Sequence, residues 1–155
     1  MSDLKVDFHT IEKYMPRWSW HELIFGIEKG LLTYDDVIKY AFFTISEDTE
    51  NIDLVVELSL SDKFKAEELI KNLVALEQEQ NIDEIISKWA FAIIYAAYVN
   101  DYKDIFDLTD CVYTEFDYPE ELRYLIYYEP ATDGRTLSEH LKDYIIAGKN
   151  KWVKE

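Results

Sequence analysis

The residues of this chain that could do chemistry are three histidines, His9, His21 and His140, a single cysteine, Cys111, and 32 carboxylates. No two histidines stand at a metal-ligand spacing. HExxH is absent, as is the Glu-x-x-His pair of a di-iron bundle. Cys111 follows Asp101, Asp104, Asp107 and Asp110. A nucleophilic thiolate needs an electropositive setting, so Cys111 reads as an inert, partly buried side chain. GxSxG, a P-loop and a glycine-rich dinucleotide turn are all missing, and 4 glycines leave little material for one. A carboxylate pair could perform glycosidase-type acid–base work, but 32 acids in 155 residues bring pairs together by chance. The expectation is a protein that is not an enzyme, with no cofactor and no catalytic or metal-ligating residues.

One acidic segment stands out. Residues 101–121 hold eight acids, Asp101, Asp104, Asp107, Asp110, Glu115, Asp117, Glu120 and Glu121, against one base, Lys103. If the whole segment is helical, the aspartates at three-residue spacing form a slanting ridge, costing tenths of a kcal/mol per like-charged pair. Tyr102, Tyr113 and Tyr118 are interspersed, and tyrosine beside acids suits an interface with a basic protein. Asp101, Asp104, Asp107, Asp110, Tyr113, Glu115, Asp117 and Tyr118 are the candidate partner-binding residues. The plainer reading is a solvated face with tyrosines reaching out of the core. The ridge lacks the central glycine and the terminal glutamate of an EF-hand calcium loop.

The elements that must position these residues are helices. With 4 glycines and 3 prolines the chain has little punctuation for an all-β fold. Ser19 and Glu22 form a capping box before Trp20, Leu23, Ile24 and Ile27, and Gly30 suits a C-cap. Thr33 caps a second helix carrying Tyr34, Val37, Ile38, Ala41, Phe42 and Ile45, and the short connection predicts an antiparallel hairpin. Residues 52–60 are ambiguous by period and are read as a short helix. A cleaner stripe, Ala66, Leu69, Ile70, Leu73 and Leu76, follows. Asn81 and Glu84 open a helix over 82–99 that is apolar all round after Lys88, placing Trp89, Ile93 and Ile94 in the core. Residues 101–116 read as a helix with Ile105, Leu108 and Val112 inward. Pro119 starts another, and Thr136 with Glu139 caps a last helix bearing Leu137, Leu141, Tyr144 and Ile145, with a fraying tail. The expected fold is all-α, a single domain over 1–155 of seven to eight helices packed as antiparallel hairpins.

The whole composition agrees with such a fold, at 48% hydrophobic and 31% charged residues. A formal charge of -16 repels nucleic acid and anionic membranes and favours basic partners, while also serving solubility. One cysteine permits no intrachain disulfide, and neither a signal peptide nor a membrane span is legible; the longest uncharged run is 89–100. A cytoplasmic monomer or homodimer is expected, the latter through an aromatic patch drawn from 24 aromatic residues.

Residues 87–134 resemble an uncharacterised bacterial domain family. The resemblance rests on Lys88-Trp89, on Phe116-Asp117-Tyr118-Pro119 after the acidic segment, and on Tyr128-Glu129-Pro130 running to Asp133-Gly134. Residues 18–41 are similar to that family's opening hairpin. Phe116-Asp117-Tyr118-Pro119 also has a structural reading, with Asp117 closing an Asx-type turn and Pro119 starting the next helix. The resemblance implies a kinship with small acidic proteins that bacteria encode beside polymorphic toxins. It implies an immunity protein that neutralises a toxin by occluding a basic surface, and it carries over no catalytic residue. A helical scaffold without a toxin partner, or a carboxylate-based enzyme, are the alternatives.

Overall fold

The computed structural model describes residues 6–126 and 134–153 and is all-α. In chain order the helices are α1 (Phe8–Tyr14), α2 (Trp20–Glu28), α3 (Tyr34–Thr44), α4 (Ile52–Ser59), α5 (Lys63–Leu76), α6 (Ile82–Val99), α7 (Ile105–Glu115), a 3-10 helix (Glu120–Leu125) and α8 (Leu137–Trp152). The chain divides into two compact units. One contains Thr10–Pro16 and Ile82–Glu155, and the other Val6–His9 and Arg17–Asn81, so the residues of α1 are shared out between them.

In the Arg17–Asn81 unit, α4 packs on α3 and on α5, and α5 also receives α2 and α3. The connection after α2 therefore does not fold it onto α3 as a close hairpin; α2 makes its main contacts with α5. Its buried face is Glu22, Leu23, Phe25 and Gly26, with Trp20, Ile24 and Ile27 half-buried. Gly30 (φ 75) ends α2 in a Schellman motif, with Leu31 N donating to Gly26 O and Gly30 N to Ile27 O. Val37, Tyr40 and Ala41 bury α3, leaving Phe42 exposed against expectation. The ambiguous run 52–60 is helical, and α5 buries Ala66, Leu69, Ile70 and Leu73 while Leu76 stays exposed at the end of the helix. The Tyr40 hydroxyl clamps Trp18, accepting from its N–H and donating to its carbonyl at 2.9 Å each. Phe8, Trp18, Trp20 and Tyr40 form an edge-on aromatic cluster around this clamp.

The second unit is built on α6, whose residues Trp89, Ala90, Phe91, Ala92, Ile93 and Ile94 are all buried. Burial on every side follows from a helix with no polar face, since α6 packs with both α7 and α8. The 3-10 helix packs on α7 and α8. Leu141 and Ile145 bury α8, and at Gly148 a Cβ would come within 2.0 Å of the Phe91 ring. Thr136 and Glu139 form the expected capping box. The tail stays helical to Trp152 instead of fraying, with Lys151 paired to Glu84 at 3.1 Å. Among the described residues no helix is long and apolar enough to cross a membrane.

Candidate functional site

All eight candidate partner-binding residues fall in the α6–α8 unit, but they do not form one helical ridge. The helix expected over 101–116 begins only at Ile105. Asp101 stands after α6 with φ 53, in the left-handed region, where Tyr102 N donates to Ala97 O and Asp101 N to Tyr98 O. This is a Schellman stop with aspartate where glycine is usual. Asp104 is the N-cap residue of α7, without a side-chain cap bond, and Asp107 lies in its first turn. Both face the positive end of the helix dipole, which offsets part of the repulsion. Asp110, in mid-helix, has no such compensation. Burial first and the nearby Asp107 charge second push its carboxyl above the ordinary carboxylate range.

The α7 end repeats the device. Tyr118 N donates to Tyr113 O at 2.7 Å and Asp117 N to Thr114 O at 3.3 Å, with Asp117 (φ 61) and Tyr118 (φ 60) both left-handed. Tyr113 and Tyr118 then meet edge-on at 5.2 Å, the side-chain contact that accompanies this motif. The turn at Asp117 is made by its left-handed backbone; no side-chain hydrogen bond of an Asx-type turn is formed there among the described residues. Pro119, however, is the N-cap of a 3-10 helix that runs only over Glu120–Leu125. Ile105 and Leu108 are half-buried; the inward residues of α7 are Thr109 and Val112. Cys111 is exposed rather than partly buried. The Tyr128 to Asp133 part of the suspected signature lies outside the described residues, while Gly134 has φ 76.

The corner between α6 and α7 borders a groove of about 500 Å³, lined by Tyr98, Val99, Asp101, Tyr102, Ile105, Phe106, Ser138 and Leu141. Among the described residues Asp101 is its one charged wall residue. The acids beside it, Asp104 and Asp107, are exposed, and neither they nor Asp101, Asp110 or Asp117 join an ion pair among the described residues. Sequence reading singled out the acids and missed Tyr98, Val99, Phe106, Ser138 and Leu141. The available signal was the apolar end of α6 meeting the Asn100-Asp101 stop.

A second polar cluster lies in the other unit, around the start of α2. Glu77 accepts from Trp20 N at 3.0 Å, from His21 N at 2.9 Å and from His21 Nδ1 at 2.6 Å. The buried Glu22 accepts from Ser19 N at 2.8 Å and from Gln80 Nε2 at 2.7 Å, while the Ser19 hydroxyl donates to Gln80 Oε1 at 2.7 Å. Ser19, His21 and two glutamates look like catalytic material, but the Ser19 hydroxyl goes to Gln80 and the His21 Nδ1 proton to Glu77. The cluster satisfies the free amides at the start of α2, which is capping. Among the described residues no group of three or more His, Cys, Asp or Glu side chains could hold a metal ion.

Residues 8–155 match a family described as an uncharacterized protein conserved in bacteria (DUF2247). No curated protein and no solved structure matches the chain. The match spans α1 through α8, with the Trp18–Tyr40 clamp, the buried Trp89 and both aspartate helix stops inside it, and the chain belongs to that bacterial family.

Proposed function

We propose that this chain is a binding protein of the immunity type, which neutralises a cognate toxin in the cytoplasm by covering a basic surface and performs no catalysis. The observation that carries the reading is the α6–α7 corner. There an aromatic and aliphatic groove, with Asp101 in its wall, lies beside Asp104 and Asp107, which join no ion pair among the described residues. Apolar area supplies adhesion, and the surrounding acids select a cationic partner and speed its encounter. A toxin that acts on nucleic acid presents such a basic cleft. A helical adaptor with no toxin partner is the second reading, favoured by the large apolar side chains that the other unit leaves exposed, Phe43, Leu60 and Phe64.

Co-expression with the product of the adjacent gene tests the proposal, scored for relief of toxicity and for co-purification. In the complex, the triple variant Asp104→Asn, Asp107→Asn, Asp110→Asn should associate more slowly and with a flatter salt dependence. Tyr102→Ala, in the groove wall, should dissociate faster. Unchanged rates in both variants would remove this corner from the interface, and failure to relieve toxicity would remove the immunity reading.

A further inference from the structure

The stretch Tyr98-Val99-Asn100-Asp101-Tyr102 ends α6, and its fold leaves hydrogen-bonding capacity unspent in the groove beside it. The helix stop draws Tyr102 N to Ala97 O at 3.0 Å and Asp101 N to Tyr98 O at 3.2 Å. Tyr98, Asp101 and Tyr102 thereby line one groove of about 500 Å³, joined there by Ser138 from the first turn of α8. The two tyrosines are 39% and 51% exposed. Among the described residues none of these four side chains makes a hydrogen bond or an ion pair, and no ring packs on either tyrosine. The rest of the lining is apolar. A ligand in this groove meets one free carboxylate, three free hydroxyls and two aromatic rings without a partner. The charge around it has one sign. Asp104 and Asp107 stand beside the groove, whereas Lys103, the one base of the segment, does not line it. The C-terminal end of α6 adds the negative end of its dipole. Asp104 and Asp107 at the start of α7, and Glu139 at the start of α8, offset the positive ends of those helices. An anion has no seat here; a cation does.

We propose that this groove is an arginine slot, taking one arginine side chain of the basic partner as its anchor. The guanidinium meets the Asp101 carboxylate and lies over a tyrosine ring, and its methylene stem runs along the apolar lining. Two properties select arginine over lysine. The planar guanidinium donates to several acceptors at once, and Asp101, Ser138 and the two phenol oxygens are spread around one cavity. It is also less strongly hydrated than an ammonium, so it loses less on leaving water for an aromatic wall. Arginine and tyrosine are moreover the residue types that dominate the energetics of protein interfaces. The inference rests on the reading of this corner as the surface that meets a cationic partner, and it adds which side chain is recognised and by which groups.

The test is a titration of the full chain, labelled with nitrogen-15 and held at low salt, with three probes: the Nα-acetyl amides of arginine, lysine and citrulline. The arginine probe should shift the amide signals of Tyr98, Asp101, Tyr102 and Ser138 and saturate with a millimolar dissociation constant. Citrulline, which keeps the shape and lacks the charge, should not saturate, and lysine should bind several-fold more weakly. Asp101→Asn should weaken the arginine probe at least about tenfold, as expected for loss of a charge-assisted hydrogen bond. Asparagine tolerates the left-handed backbone that Asp101 holds, so the stop of α6 survives the change. Should that variant nevertheless fail to fold, the comparison of arginine with citrulline on the unaltered chain decides alone. An arginine probe that does not saturate overturns the slot. So does binding equal to that of lysine or citrulline, or binding indifferent to Asp101→Asn. These outcomes are separable from the fate of the toxin reading. Relief of toxicity by a chain that ignores the arginine probe removes the slot and keeps the immunity role, whereas a saturable slot in a chain that relieves no toxicity does the reverse.

Discussion

Asp101 and Asp117 each hold a left-handed backbone at a helix stop, a conformation that costs an ordinary L-residue about 1–2 kcal/mol and glycine almost nothing. Aspartate tolerates it better than most, so Asp117→Gly should raise stability by roughly 0.5 kcal/mol, after allowing for glycine's greater unfolded entropy. Urea midpoints at constant slope measure this, and a clear loss would mean that the Asp117 side chain contributes more than its backbone costs. Asp110 carries the opposite kind of strain. Its raised folded carboxyl value, from burial and from Asp107, means that the folded chain holds this proton more tightly than the unfolded chain. The stability gained from protonation is present at low pH and lost as pH rises through the folded value. Asp110→Asn should therefore be more stable than the parent at neutral pH, and the two should converge below about pH 4, the ordinary aspartate range. A gap that persists in acid would assign the effect to packing.

At the scale of the elements, two features outside any charge pattern hold helices in place. Glu77, the C-cap residue of α5, supplies both carboxylate oxygens to the first amides of α2, so one side chain joins the end of one helix to the start of another. Glu77→Ala leaves those amides without the carboxylate and should cost about 1–3 kcal/mol. Thermal unfolding checks this, and a change under about 0.5 kcal/mol would show that water replaces the cap. Gly148 lets α8 approach Phe91 more closely than any other residue permits. Gly148→Ala would normally favour a helix by about 1 kcal/mol. Here a methyl group overlapping the Phe91 ring should reverse the sign, for a net loss of about 1–3 kcal/mol. A stabilised variant would show that the Phe91 side chain can turn away.

For the molecule as a whole, a charge of -16 at neutral pH makes the folded state repel itself more than the expanded chain does. Salt shortens the screening length from about 30 Å at 0.01 M to below about 10 Å above 0.1 M. Raising it across that interval should increase the unfolding temperature. A fall would mean that surface ion pairs such as Lys71–Glu67 and Lys151–Glu84 outweigh the net repulsion. The same titration should weaken a complex with a basic partner.

The all-α class followed from the sequence alone. The capping boxes at Ser19 and Thr136 and the N-cap at Thr33 depend on residues two or three positions apart, and all three are formed, Thr33 adding a box of its own with Asp36. The buried run from Trp89 to Ile94 was equally legible, because a helix without a polar face must be covered. Where local and distant forces meet, the sequence was silent. Whether 101–104 continued a helix depended on the stop after α6, which aspartate can form but does not advertise as glycine would. Period alone placed Phe42 and Leu76 inward, yet a helix has more than one apolar side and only its neighbours decide which is covered. The pairing of α2 with α5, the hold of Glu77 and Gln80 on the start of α2, and the groove beside Asp101 join residues far apart in the chain. Hydrophobic burial is non-directional, so pattern determines that helices form and tertiary packing determines which of their faces remain free to bind.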